Sequence, residues 1–291
     1  MKKISKDNYK LMLGFIFAFL SAIFYSLNIP TSKYFLNKVS SHELLFLTYL
    51  GSSIGLLIVN VFHKKNEAKI KRDLKTEGII ILCDMLASLF IVLSLKFVNA
   101  STVSLLSLLE TVFTLIISYL FFKNKINKNL ILSAIFVTIG GLVLSINEIM
   151  NFNISIYILI ILIATILWGL ENNLTPCVNQ KNIPILIFYK CLTISLFNLL
   201  FFIKNANLIS LISNNYILLI IGFFSYGLSF LFYAYSTKKI GANKTAIIFS
   251  FSPFFSTILS FLLFKDHLSI VVLISLIFMT IGVIYSIKEK K

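Results

Sequence analysis

Residues 155–175 read SIYILIILIATILWGLENNLT. From Ser155 to Leu170 no side chain is charged, and apolar residues follow one another without the two-residue alternation of a strand. A bilayer core of about 30 Å is crossed by about 20 residues of helix. Lipid offers no partners to backbone N–H and C=O groups, so only helices and closed barrels span it, and barrel strands alternate. The stretch therefore reads as a membrane-spanning helix. The same reading extends outward to ten runs, approximately 11–30, 43–62, 78–96, 102–121, 129–147, 155–175, 184–203, 216–236, 243–263 and 268–287. The connections between them are short and leave little chain for a soluble domain.

The composition agrees. The 291 residues are 58% hydrophobic and 13% charged, with a mean hydropathy of +0.94. A soluble domain averages about 45–50% apolar and about 25% charged residues, so an ordinary soluble fold is excluded. Eleven Gly and 4 Pro exclude a collagen-like or Pro-rich chain. The net charge of +15 sits in short basic clusters between the apolar runs, a pattern of membrane topology and not of nucleic-acid binding. Cys83, Cys177 and Cys191 are isolated, which excludes a disulfide scaffold or a thiolate metal site. His42, His63 and His267 flank or leave the apolar runs without an HExxH motif, so neither metal nor cofactor is expected. No GxxxxGK[ST] occurs, and ATP is not expected to drive this chain directly. The basic start, Met1–Lys10, precedes a long apolar run that lacks a small-residue cleavage pattern, and reads as the lead into a retained first span.

Lys and Arg set the orientation. With the N-terminus inside, the inner segments hold Lys2, Lys3, Lys6 and Lys10, the cluster Lys64–Lys75, then Lys123–Lys128, Lys181, Lys238–Lys244 and Lys288–Lys291. The outer segments hold only Lys33, Lys38, Lys96, Lys204 and Lys265. Both termini are then cytoplasmic, as an even number of spans requires.

The chain also repeats itself. Residues 99–142 lie on 241–284 without a gap, with Ser118, Leu120, Phe122 and Lys123 on Ser260, Leu262, Phe264 and Lys265. Thr138-Ile139-Gly140 falls on Thr280-Ile281-Gly282, and Ser94-x-Lys96 on Ser236-x-Lys238. Displaced by one more residue, Tyr25-Ser26-Leu27-Asn28 meets Trp168-Gly169-Leu170-Glu171. Two units follow, 11–147 and 155–287, joined by a linker over 147–153. Each holds five spans, and an odd number inverts the second unit across the membrane. Inverted repeats of this kind place a substrate site at their interface near midplane. The predicted fold is thus all-α and integral to the membrane, with ten transmembrane helices in two inverted five-helix repeats.

Charges inside spans cost roughly 2.5–3.5 kcal/mol each on insertion scales and line interior cavities. Glu110 is nearest the middle of its run. Asp84, Glu171 and Lys190 share a depth near the inner face, so Lys190 can pair with Glu171 or Asp84; the alternative is a lysine that snorkels to the surface. Asp84 lies nearest the polar flank of its run and is left outside the predicted cavity. The polar run Trp168–Pro176 and its mate Tyr25–Thr31 each carry a Pro near the span end, where a helix can open its backbone to a ligand; interhelical hydrogen bonding by Asn and Thr is the competing reading. Tyr226 and Tyr233, seven apart, share a helix face. Gly51-Ser-Ser-Ile-Gly55 is a small-residue packing motif, and Pro253 is expected to kink the ninth span. The predicted cavity comprises Tyr25, Asn28, Trp168, Glu171, Asn172, Tyr226 and Tyr233, with Glu110 and Lys190 close by.

These residues carry a family resemblance. The chain, over about 11–287, resembles the drug/metabolite transporter superfamily in its EamA-type branch. The first copy is similar in Tyr25-Ser26-Leu27-Asn28 through Lys33 and in Asn99-Ala100-Ser101-Thr102. The second is similar in Trp168-Gly169, Gly241-Ala242, Ser252-Pro253-Phe254 and Gly282. Glu171–Thr175 with Tyr226-Gly227-x-Ser229 looks like one EamA subgroup of uncharacterised substrate. Departures are Thr111, where the family often has Pro; Asn124, where an acidic residue usually closes the fourth span, as Asp266 does the ninth; and Glu171, where the subgroup usually has Asp.

The resemblance implies a secondary transporter that exports small metabolites or amino acids across the cytoplasmic membrane by alternating access. Its expected partners are the lipid bilayer and a small-molecule substrate, with protons as candidate coupling ion at Glu110 or Glu171, no nucleic acid, and a homodimer as the assembly to consider. Enzymatic activity is not expected. The rival readings are a passive channel, a non-transporting membrane scaffold and, last, a membrane-embedded lipid enzyme.

Overall fold

The computed structural model describes residues 6–63, 72–98, 100–144, 156–179, 182–204, 207–264 and 270–288. The predicted linker over 147–153 and the pair Asp266-His267 lie outside the described residues. The first half runs α1 (Lys6–Tyr25), α2 (Asn28–Phe35), α3 (Ser41–His63), α4 (Leu74–Ser94), α5 (Ala100–Ser107), α6 (Leu109–Leu120) and α7 (Lys128–Leu144). The second half opens with α8 (Ile156–Leu174), a 3-10 turn at Thr175–Cys177, α9 (Ile183–Leu199) and the short α10 (Leu208–Asn214). It continues with α11 (Tyr216–Gly222), a π-helical turn at Phe223–Leu228, α12 (Ser229–Ile240), α13 (Ala242–Phe249), α14 (Ser252–Phe264) and α15 (Ile270–Ile287). No strand occurs among the described residues. Among the described residues five stretches are long and apolar enough to cross a bilayer: Tyr9–Phe35, Ser41–Val59, Leu74–Ser94, Ile156–Cys177 and Tyr216–Ile240. Leu109–Leu120, Lys128–Val143, Ile183–Leu199 and Leu273–Ile287 are shorter apolar helices.

The ten predicted runs do not each form one helix. The first run breaks at Ser26-Leu27, where the Ser26 hydroxyl donates back to the Ile23 carbonyl (2.6 Å) and Thr31 Oγ1 to the Asn28 carbonyl (3.0 Å). Pro30 then falls in the first turn of α2, where its missing N–H leaves no intrahelical bond unmade. In the corresponding place of the second half, Pro176 lies in the 3-10 turn that ends α8. The fourth run breaks at Leu108 and the ninth at Ser250-Phe251, just ahead of Pro253. The break at Pro253 was predicted. The one at Leu108 has no Pro. There Thr111 Oγ1 lies 2.5 Å from Ser250 Oγ and 3.3 Å from the Ala246 carbonyl, so a side chain just past one break is bonded to the segment at the other.

Helix ends are closed by local chemistry. The Asp73 side chain caps α4 by accepting from the Thr76 N–H (3.3 Å) and hydroxyl (2.6 Å). Those donors hold its carboxyl below the usual carboxylate range. At the other end, the Lys33 ammonium donates to the carbonyls of Leu95 (2.5 Å) and Val98 (3.2 Å), where a cation complements the helix dipole. Gly241, at φ 86°, lets α12 turn directly into α13.

The helices pack in cross-half pairs: α1 with α12, α3 with α9, α4 with α8, and α7 with α15, while α6 lies against α8 and α13. Small residues bring backbones together, as the Gly51-x-x-x-Gly55 motif predicts. A Cβ on Gly51 would lie 2.0 Å from the Leu219 carbonyl oxygen, and one on Gly222 would lie 2.0 Å from that of Thr48. In the α7–α15 pair Ser133 Oγ donates to the Gly282 carbonyl (2.5 Å) and Ser275 Oγ to that of Gly140 (2.6 Å). These two bonds exchange residues that the internal repeat equates. The same holds for Ser236 Oγ on the Gly14 carbonyl (2.9 Å) and Ser94 Oγ on that of Tyr157 (3.4 Å).

Candidate functional site

The breaks and crossings converge on a cluster of buried charge. Lys190, on α9, has its ammonium 3.1 Å from Asp84 Oδ2 and 2.8 Å from Glu171 Oε1. It also sits 3.5 Å from the centroid of the Phe230 ring. Sequence reasoning left the partner open between Glu171 and Asp84; the structure pairs Lys190 with both. The lysine and Asp84 side chains are each 1% exposed, against 12% for Glu171. Isolated charges at this depth would be prohibitive, and a lysine between two carboxylates is the arrangement that makes them tolerable. The alternative of a lysine snorkelling to the surface does not occur.

Asp84, outside the predicted cavity, sits at the centre of the cluster. Besides Lys190 it accepts from Trp168 Nε1 (3.1 Å) and from the Tyr49 hydroxyl (3.2 Å). Its burial follows from where α4 starts. The run was read from 78, but the helix begins at Leu74 behind the Asp73 cap, which carries Asp84 away from the polar end. The repeat offered a further signal, because its offset sets Asp84 against Tyr226.

Tyr49 connects this cluster to a neutral one. Its ring stacks on Tyr226 with centroids 4.4 Å apart, and the Tyr226 hydroxyl donates to Asn28 Oδ1 (2.9 Å). Tyr226 sits in the π-helical turn, a feature frequent at functional sites. Its ring also meets Tyr25 edge to face at 6.3 Å. Glu110 forms a third group. Its Oε1 accepts from Asn172 Nδ2 (2.7 Å), which also reaches Thr114 Oγ1 (3.1 Å). Among the described residues Glu110 makes no ion pair.

Two internal cavities meet here. One, of about 40 Å³, is lined by Glu171, Asn172, Lys190, Tyr233 and neighbours. The other, of about 30 Å³, carries hydroxyls of Ser26, Ser104, Ser107, Thr111, Ser250, Ser252 and Ser256 among apolar neighbours such as Ile29, Leu108 and Pro253. Tyr25, Glu110, Trp168 and Phe249 border both. Of the predicted cavity residues, Tyr25, Glu110, Trp168, Glu171, Asn172, Lys190 and Tyr233 thus line a cavity. Asn28 and Tyr226 instead bond to each other beside it. The Tyr233 hydroxyl is buried without a hydrogen-bond partner among the described residues, a condition native proteins rarely leave uncompensated.

A model of the EamA-like transporter family matches residues 12–146 and again residues 155–287. The chain is 27% identical over 298 residues to a protein of Clostridium kluyveri named "Uncharacterized transporter", with 96% of this chain and 94% of that one covered. It shares its fold with a protein of known crystal structure at a TM-score of 0.75, over 95% of each chain and with 13% identity. Apolar helices long enough to span, paired across two halves around a buried polar cluster, are what such a protein needs. With the family matched along nearly its whole length, the chain belongs to the EamA-like transporter family.

Proposed function

We propose that this chain is a secondary carrier that exports a small amine-bearing metabolite, such as an amino acid, across the cytoplasmic membrane by alternating access. The observation that carries the reading is the Asp84–Lys190–Glu171 triad, closed over a cavity of about 40 Å³. Ligand pockets for small molecules hold about 300–1,000 Å³, so this cavity is too small for a metabolite and the substrate enters another conformer. Two carboxylates around one lysine suit a site that takes a cationic group. Glu171 is the more exposed of the two and supplies the ammonium contact. Lys190 stays on Asp84 or turns to a substrate carboxylate, and the unpartnered Tyr233 hydroxyl adds a hydrogen bond.

The motion we infer is a rocking of two inverted five-helix units, 11–147 and 155–287. Support comes from the double match of the family model and from the exchanged serine–carbonyl bonds of α7 and α15. The four breaks at Ser26-Leu27, Leu108, Thr175 and Ser250 are the natural places for helices to bend, next to the cavities. With both termini cytoplasmic, the Glu171 cavity faces inward and the hydroxyl-lined one outward. Proteoliposomes preloaded with mixed amino acids and small metabolites, read by mass spectrometry, test the reading. Saturable, selective loss of one amine-bearing compound supports a carrier; non-saturable leakage of many supports a channel; no loss from folded protein removes transport.

A further inference from the structure

The family match says nothing of what drives transport, and three carboxylates at the site, Asp84, Glu110 and Glu171, compete for that role. Two are spoken for. Asp84 is held by the Lys190 ammonium, the Trp168 N–H and the Tyr49 hydroxyl. Glu171 is held by Lys190 at 2.8 Å. Glu110 differs in three ways. It makes no ion pair among the described residues, and it accepts from the neutral side-chain amide of Asn172. It borders both cavities. It also sits in the first turn of α6, created by the break at Leu108.

We infer that Glu110 is a proton-binding site, taking up one proton from the hydroxyl-lined cavity and releasing it to the cavity lined by Glu171, and is the coupling group of the carrier proposed above. In a low-dielectric interior a carboxyl group without a cation partner can hold a proton. The position in the first helical turn works the other way, because the positive end of the helix dipole stabilises the anion. Neither form is therefore prohibited, as a site that cycles requires. A water needs about 10–15 Å³ of such space, and the hydroxyl-lined cavity of about 30 Å³ admits water but no metabolite. Serine and threonine hydroxyls both donate and accept, so with a water they offer a path along which a proton reaches the carboxylate from this side. The titratable groups that face Glu110 are Tyr25 from α1, Asp84 from α4, Glu171 from α8 and Tyr233 from α12. Lys190 from α9 lines the same inner cavity and is already committed to the two other carboxylates. A substrate cation that enters beside Glu110 favours its anionic form and expels the proton, which makes the exchange one for the other.

The inference rests on the carrier reading for its purpose but not for its test. The probe is the proton itself, read by infrared difference spectroscopy of the purified full chain in liposomes as pH is stepped. The expected result is a protonated-carboxyl C=O band that disappears with rising pH, is lost in Glu110→Gln and is retained in Glu171→Gln. Asn172→Ala, which removes the donor on Oε1 and leaves the carboxyl in place, shifts the band to higher frequency and guards against a misfolded Gln variant. A band that survives Glu110→Gln, a band lost in Glu171→Gln instead, a band indifferent to Asn172→Ala, or no titrating band in the wild type overturns the inference. Failure of transport with the band intact overturns only the carrier reading.

Discussion

At the residue scale the account turns on Lys190. Removing one partner from a buried ion pair leaves an uncompensated charge, at a cost of about 3–5 kcal/mol, whereas removing all partners together is often neutral. Lys190→Met is therefore expected to lower thermal stability by a comparable amount. Adding Asp84→Asn and Glu171→Gln to Lys190→Met is expected to restore most of it without restoring function. Thermal unfolding of the detergent-purified variants checks both, and a stable single Lys190→Met variant contradicts the pairing. The pairing of Lys190 was legible in the sequence as a shared depth on two spans, because rise per residue converts position into depth. The central place of Asp84 was not, because it depends on where α4 begins. That start is set by the Asp73 cap and by Arg72, which pairs with Glu77 beside it. Such local end chemistry shifts a boundary by a few residues, and a few residues decide which side of an apolar run a charge belongs to.

At the element scale, close approach of backbones holds the α3–α11 crossing. Gly51 and Gly222 each lack room for a methyl group, with backbone oxygens 2.0 Å from where a Cβ would sit. Gly51→Ala or Gly222→Ala is expected to destabilise by about 1–3 kcal/mol through overpacking. Gly78, with nothing within 4 Å of its added Cβ, is the control. Gly78→Ala is expected to be neutral or to stabilise by up to about 1 kcal/mol, the helix preference of Ala over Gly. Unfolding midpoints in denaturing detergent read both, and equal effects at the three sites contradict the packing account. The small-residue motif and the Pro253 break were legible because they are written in residue type. The break at Leu108 was not. The sequence shows Thr111 where the family often has Pro, and the hydrogen bond of Thr111 to Ser250 on the partner segment is a tertiary fact. Likewise the even spacing of Tyr226 and Tyr233 suggested one face. The π-helical turn at Phe223–Leu228 changes the local winding, and Tyr226 is bonded to Asn28 while Tyr233 opens on the cavity.

At the scale of the whole molecule, the apolar runs were legible because lipid imposes length and continuity on a span. The orientation rests on the basic clusters and has its own check. Cys83 and Cys191 are buried and Cys177 is exposed at the end of α8. An impermeant maleimide is expected to label the wild-type chain at Cys177 in inside-out vesicles and not in intact cells; labelling from outside reverses the topology. The central claim is that the chain carries a substrate through the triad site, with Glu171 making contact. The most direct measurement is exchange across proteoliposomes preloaded with mixed amino acids and metabolites, with wild type and Glu171→Gln compared at equal folded protein. The account predicts saturable, selective loss of one amine-bearing compound by the wild type and its abolition in Glu171→Gln; full transport retained by that variant, or no selective loss from the wild type, would contradict it.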